Sequence, residues 1–439
     1  MTTALKAPEL LSPAGTLRNM KFALAYGADA VYAGQPRYSL RARNNDFSLE
    51  NLKTGIDYTH KLGKKFFVAS NLLPHDSKVK TYLKDMAPVI DLGPDALIMS
   101  DPGLIMMVRE RWPEIPVHLS VQANTTNSAA VKFWQSVGVK RIILSRELSL
   151  DEVEYIRQSC PDMELEVFVH GALCIAYSGR CLLSGYMNHR DPNQGTCTNA
   201  CRWKYDVTGA SENETGDIVE TPVNGVQTFD PKGKVFLLEE QNRPGEKMPI
   251  FEDEHGTYIM NSKDLRAVQH INRLTKMGID SLKIEGRTKS HYYVAKTAQT
   301  YKEAIQDALV GVDRSKDHMV ALDGLANRGY TEGFFRRHVP QDYQNYEQGA
   351  SQNNAQKFVG EIIEVDSQNG VIDIDVKNRF AVGEHLQLMT PSGNYNFQLT
   401  HMTNLQNEPV EVAPGSGHVV RLQNPCAEDV KFGLLAVNL

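Results

Sequence analysis

The sequence predicts an α/β protein: a TIM-like (β/α)8 barrel with a β-hairpin insertion, followed by a small C-terminal all-β barrel or sandwich domain. Three observations lead there. From residue 8 a short apolar run, a polar turn and a helical pattern recur. The runs start roughly 20 to 36 residues apart, the span of a strand, a crossover helix and two loops. They are continuously apolar, as strands of a parallel sheet covered on both faces must be. After residue 357 the pattern changes to apolar–polar alternation broken by glycines, which marks antiparallel strands.

Taken in order, the first seven strands are expected at Glu9–Ser12, Ala30–Ala33, Lys65–Ala69, Ala96–Met99, Val117–Val121, Arg141–Leu144 and Leu165–Val169. Amphipathic segments at Thr16–Tyr26, Leu49–Leu62, Ser128–Val137 and Ser149–Gln158 supply crossovers. Thr16 stands where an N-cap belongs, and Gly27 and Gly138 where helices end. Residues 203–256 break the rhythm with Val207–Gly209, Val223–Phe229, Lys234–Leu238 and Met248–Phe251 between Gly, Pro, Asn and Asp turns. These read as hairpins inserted after strand seven, on the face where strand-to-helix loops build barrel active sites. Strand eight is either Ser281–Glu285, ahead of the helical run Tyr292–Leu309, or Thr257–Met260, ahead of a helix over Lys263–Met277. An open, doubly wound sheet is the alternative architecture. Residues 1–340 thus form the barrel domain, the Asn- and Gln-rich 341–356 a linker, and 357–439 the β-domain.

Composition narrows the function. The 439 residues are 41% hydrophobic, with 47 Lys+Arg against 53 Asp+Glu and a net charge of −6, which excludes a disordered, fibrous or disulfide-dense chain. No run approaches the ~18 apolar residues of a membrane span. The start, MTTALKAPELLSPAG, lacks the basic and apolar regions of a secretory signal. A cytoplasmic protein with no membrane partner is expected. Net acidity argues against a general nucleic-acid coat, which works by neutralising phosphates, but leaves room for a local basic site. The β-domain, with five Lys+Arg against ten Asp+Glu, is no basic RNA-gripping module.

Four of the six cysteines crowd into Cys174, Cys181, Cys197 and Cys201, directly after strand seven. Four thiolates can close a tetrahedral zinc site or hold a [4Fe–4S] cluster. Structural zinc usually shows two short knuckles, and the six-residue gap between Cys174 and Cys181 is too long for one. The irregular spacing suits a cluster better, with zinc or merely reduced thiols as alternatives. A nucleophilic Cys174 working with His170 is a further reading, without a third group to orient the base. Cys160 and Cys426 stand apart as bystanders.

The string EVFVHGALCIAYSGRCLLS, from Glu166, resembles the signature of the family historically labelled peptidase U32. PELLSPAG near the start, SLKIEGRTKS at 281–290 and NRGYTEGF at 327–334 match the same family in order, and the resemblance covers nearly the whole chain. The arrangement is most similar to a bacterial branch implicated in converting uridine 34 of tRNA to 5-hydroxyuridine, dependent on prephenate and independent of oxygen. Relatives hydroxylate a 23S rRNA cytidine or ubiquinone precursors, and some carry four-cysteine iron–sulfur clusters. The resemblance therefore implies a tRNA uridine 5-hydroxylase with tRNA, prephenate and iron–sulfur assembly proteins as partners. It matches Cys174, Cys181 and Cys197 to the family's cluster ligands and leaves Cys201 as a fourth whose position varies between branches. Two other functions stay open. One is the peptidase of the family label, although the chain has neither HExxH nor GxSxG. The other is a non-enzymatic RNA-binding module with a structural metal.

Replacing a C–H bond with C–O calls for an oxygen donor and a redox balance that side chains do not supply, so a cofactor is expected. The two carboxylates of prephenate would need cations, preferably the forked guanidinium of arginine. Candidates stand where strands end: Arg37, Arg41 and Arg43 after strand two, His118 and Gln122 about strand five, Arg146 and Glu147 after strand six, and Lys283, Glu285, Arg287 and Lys289 about strand eight. His170, Arg146, Lys283 and Glu285 are the catalytic candidates. Glu285, lying between Lys283 and Arg287, reads as a structural ion pair in preference to a general base. Tyr38, Tyr177, Tyr186 and Trp203 are possible stacking platforms for an extruded base.

Overall fold

The structure is a computed structural model. It describes residues 5–35, 37–40, 46–172, 205–212, 218–220, 235–240, 247–253, 256–257, 264–325, 327, 329–336, 356–426 and 430–438. Seven strands, β1 (Glu9–Pro13), β2 (Ala30–Gly34), β3 (Lys65–Ser70), β4 (Ala96–Met99), β5 (Val117–Leu119), β6 (Arg141–Ile143) and β7 (Glu164–Ala172), pair in sequence order, each parallel to the next. Their helices are α1 (Leu17–Ala25), α2 (Leu49–Lys61), α3 (Asp76–Val79), α4 (Tyr82–Ile90), α5 (Pro102–Arg111), α6 (Ser128–Ser136) and α7 (Leu150–Ser159). The caps follow the side chains: Thr16 Oγ1 accepts the Asn19 N–H, and Ser149 with Glu152 completes a capping box.

Between β7 and the closing strand lie β8 (Tyr205–Glu212), β9 (Ile218–Glu220), β10 (Val235–Glu240), β11 (Lys247–Asp253) and β12 (Gly256–Thr257). They form one five-stranded antiparallel sheet in the order β12-β11-β10-β8-β9. The next strand, β13 (Asp264–Arg266), corrects the helix expected over Lys263–Met277. It runs antiparallel to the far end of β7, and α8 spans only Ile271–Lys276. A long-range pairing therefore overrides a helical pattern at this point. The barrel closes through β14 (Ser281–Ile284), parallel to both β1 and β7. Ser281–Glu285 is thus the eighth unit, Thr257 belongs to the hairpin sheet, and the open-sheet alternative is excluded.

Helix α9 (His291–Val310) and α10 (Ser315–Asp323) complete the barrel, and β15 (Tyr330–Thr331), from the string NRGYTEGF, extends its wall alongside β13. The tail domain holds β16 (Gln356–Asp366), β17 (Val371–Val376), β18 (Phe380–Ala381), β19 (His385–Thr390), β20 (Gly393–Gln398), β21 (Met402–Thr403), β22 (Val412–Ala413), β23 (Val419–Gln423) and β24 (Leu434–Asn438). Seven of these make one antiparallel sheet and β18 pairs with β22. Its apolar faces enclose a second core around Val359, Ile374, Phe380 and Leu422.

The two domains share packing. Tyr26 Oη donates to the carbonyls of Met389 (2.8 Å) and Phe432 (2.9 Å), and Gln299 Nε2 donates to Thr390 O (3.0 Å). The Tyr292 ring stacks on Phe358 at 4.8 Å. Buried Glu361 gathers Arg18, His291 and Lys377 about its carboxylate. Among the described residues, no helix is long and apolar enough to cross a membrane.

Candidate functional site

Charges inside a barrel must be paired, because an isolated buried ion is costly. Here they form a column. Glu9 and Arg141 are the first residues of β1 and β6, and Arg141 Nη1 lies 2.6 Å from Glu9 and 3.2 Å from Glu166 on β7. The other Glu166 oxygen receives Lys283 Nζ of β14 at 2.8 Å. Burial alone would raise the Glu166 pKa, but Lys283 and Arg141 outweigh it and hold the carboxyl below its ordinary value. Burial lowers the Lys283 pKa, and Glu166 opposes that shift. The column alternates carboxylates and cations from the base of the strands and ends on Lys283 at the cavity.

At those ends lies a cavity of about 80 Å3, bordered by Asn71, Gln122, Arg146, Lys283, Glu285 and Arg287, with the rings of Tyr32 and Phe168 in its wall. Lys283 Nζ sits 4.4 Å from the Tyr32 ring centre, and the Arg146 guanidinium 4.5 Å from that of Phe168. Arg146 also donates to Ala172 O at 2.9 Å, and Arg287 to Ser39 Oγ at 2.9 Å. Two motif glycines admit the Glu285–Arg287 backbone. A Cβ on Gly15 would stand 1.9 Å from Arg287 O. One on Gly171, whose φ is +108°, would stand 2.3 Å from Glu285 O. PELLSPAG, the β7 string and SLKIEGR thus meet at one place.

The predicted residues divide accordingly. Gln122, Arg146, Lys283, Glu285 and Arg287 converge on the mouth. Arg37 does not: it pairs with Asp85 at 2.7 Å, where Tyr38 Oη also donates to that carboxylate at 2.6 Å. Tyr38 is accordingly a buried anchor for α4. Arg41, Arg43, Tyr177, Tyr186, Trp203 and the four clustered cysteines lie outside the described residues. His118 is buried deeper in the barrel, edge-on to Phe67 at 4.7 Å. Burial, with Arg141 and Lys283 behind it, keeps its ring neutral.

His170 packs among Tyr293, Tyr301 and Tyr330, and Tyr301 Oη lies 3.3 Å from its Nδ1. Burial pushes its pKa down to about 3, with Lys289 and Arg266 adding to the shift. It is therefore built into the wall between β7 and α9. The sequence reading also missed Asn71, Glu166 and Arg141. For the last two the signal was present: a charge inside an otherwise apolar barrel strand implies an opposite charge across the interior. The free cysteines among the described residues are buried Cys160, at the end of α7, and half-buried Cys426.

Comparison with known proteins gives two family matches. The model for peptidase family U32 matches residues 15–345, and that for the U32 C-terminal domain matches residues 354–436. The chain is similar to the tRNA hydroxylation protein P of Escherichia coli (strain K12), with 60% identity covering 98% of this chain and 97% of the relative. The protein of the same name from Haemophilus influenzae (strain ATCC 51907 / DSM 11121 / KW20 / Rd) is 57% identical, covering 100% and 98%. A more distant relative, the 23S rRNA 5-hydroxycytidine C2501 synthase of Escherichia coli (strain K12), is 29% identical, covering 89% of this chain and 53% of the relative.

Proposed function

The chain belongs to peptidase family U32 in both of its domains, and from that premise we propose that it hydroxylates tRNA, converting uridine 34 to 5-hydroxyuridine. The observation that carries this reading is 60% identity, over 98% of the chain, to a tRNA hydroxylation protein. The more distant relative named for an rRNA 5-hydroxycytidine fits a shared chemistry at pyrimidine C5.

Putting oxygen on C5 in place of hydrogen is a two-electron oxidation. The donor set of Cys174, Cys181, Cys197 and Cys201 suits a [4Fe–4S] cluster, since four soft thiolates are its usual ligands. Strand β7 ends at the mouth only two residues before Cys174. Such a cluster would supply electron transfer.

The chain's own residues would bind and orient. Arg146, Lys283 and Arg287 offer cationic donors to the two carboxylates of prephenate as co-substrate. Glu166 holds Lys283 in place from below. Tyr32 and Phe168 give the cations aromatic faces and keep water from their flanks.

The test is nucleoside mass spectrometry of tRNA from a deletion strain in which any oxygen-dependent parallel route is also disabled. Loss of 5-hydroxyuridine derivatives, restored by the gene, is expected; unchanged levels would refute the reading. Oxygen-protected purification should give a brown protein with about four irons. Stoichiometric zinc in its place would remove the cluster.

A further inference from the structure

The cavity has two chemically different sides. Arg146, Lys283 and Arg287 come from β6 and β14 and their loops, whereas Asn71, Ser120 and Gln122 follow β3 and β5. The second side is uncharged, and its hydrogen bonds run in a fixed direction. A backbone N–H can only donate, so Leu40 N, 3.3 Å from Asn71 Oδ1, identifies that atom as the carboxamide oxygen. Asn71 Nδ2 must then donate onward, and it reaches Gln122 Oε1 at 2.6 Å. Ser120 Oγ donates to the same oxygen at 3.3 Å. With its oxygen committed twice, Gln122 has only Nε2 left to present. That nitrogen is buried and has no hydrogen-bond partner among the described residues, on a side chain 2% exposed that borders the cavity. A buried donor in this state, on the cavity wall, can take an acceptor from a ligand.

Resting on the tRNA-hydroxylating function proposed above, we infer that Gln122, oriented by Asn71, is the residue that selects uracil over cytosine by donating from Nε2 to the base's O4. The two pyrimidines differ at that position: uracil carries a carbonyl acceptor and cytosine an amino donor. An amide locked as a donor bonds to the first and faces the second donor to donor. A neutral carbonyl suits a neutral amide, leaving the cationic side for an anion. Enzymes acting on an extruded base commonly read its pairing edge through such contacts.

The orientation can be reversed without touching Gln122. In Asn71→Asp the new carboxylate still accepts from Leu40 N–H, but its second oxygen now accepts also. The Gln122 amide then turns to donate to it, and Oε1 faces the cavity. The experiment uses the deletion strain with two reporter tRNAs, one with its natural target uridine and one with cytidine there. It is complemented with wild type, Asn71→Asp or Gln122→Met, and both hydroxylated nucleosides are quantified. Wild type should modify the uridine reporter alone. Gln122→Met should lose at least about tenfold of that product with no gain on cytidine, as one buried hydrogen bond is worth. Asn71→Asp should lose uridine modification to a similar degree and gain hydroxycytidine above the wild-type background.

Uridine modification within about threefold of wild type in Gln122→Met would overturn the inference, as would a folded Asn71→Asp that gains nothing on cytidine. Should Asn71→Asp fail to fold, the Gln122→Met result decides alone. A wild-type protein that leaves both reporters unmodified overturns the tRNA reading itself, and this inference with it.

Discussion

Glu166 and Lys283 are charges set among apolar strand neighbours: Lys283 is balanced by Glu166, and Glu166 by Lys283 and Arg141 together. Glu166→Gln should cost about 3–5 kcal/mol in urea unfolding, the usual penalty for stranding one member of a buried pair. It should also push the Lys283 pKa further down, since Glu166 is what opposes the burial effect. A Glu166→Gln/Lys283→Met double variant should recover part of the loss, and a double variant as unstable as the sum of both singles would refute the coupling. At this scale the sequence was half legible. Lys283 and Gln122 could be picked out because they stand where strands end. Asn71 could not, and Glu166, though legible as a charge inside an apolar strand, could not be matched to Lys283, since nothing local says which of eight strands will face which. Arg37 misled for the same reason: its partner Asp85 is brought in by α4, 48 positions along the chain.

Strands and helices were more readable, because their signals are local. Continuous apolar runs marked the barrel strands, and Thr16 announced its helix by capping it. The failure at Asp264–Arg266 is equally instructive: its residues carry helical periodicity, but the overhanging end of β7 needed a hydrogen-bonding neighbour. Two variants separate a turn that positions the site from one that only stabilises. Gly171→Ala meets the Glu285 carbonyl and needs φ of +108°, so it should cost about 2–4 kcal/mol and depress hydroxylation beyond the loss of folded protein. Ser149→Ala should cost about 0.5–2 kcal/mol with no change in activity per folded molecule. Thermal unfolding paired with nucleoside quantification distinguishes them, and equal specific activities would show that the Glu285–Arg287 backbone tolerates displacement.

Histidines held neutral in the fold give the whole molecule an acid limit. His118 is held well below its ordinary pKa and His170 is pushed down to about 3. His291, between the domains, is pushed to about 4 by burial, then by Arg18 and Lys377. Each is neutral when folded, while the unfolded chain takes up protons as the pH falls through about 6.5. Stability is thus fully present above that pH and is lost below it, by about 1.4 kcal/mol per pH unit for each histidine, until the folded-state pKa is reached. Denaturation midpoints should be level from pH 7 to 8 and decline steeply from 6.5 toward 4. His291→Gln should shallow the decline, and an unchanged slope would show that this ring does not contribute. The association of the two domains was invisible in the sequence, because Tyr26 and Met389, which make it, are 363 residues apart.

One rod serves both domains. Along α9, Tyr293 and Tyr301 press on the barrel wall at His170, while Tyr292 and Gln299 grip the tail sheet. The tail is consequently no detachable accessory. A chimaera that borrows this segment from a distant relative should be crippled unless the matching residues of the rod and of α1 are transplanted with it, so heredity should move these surfaces together.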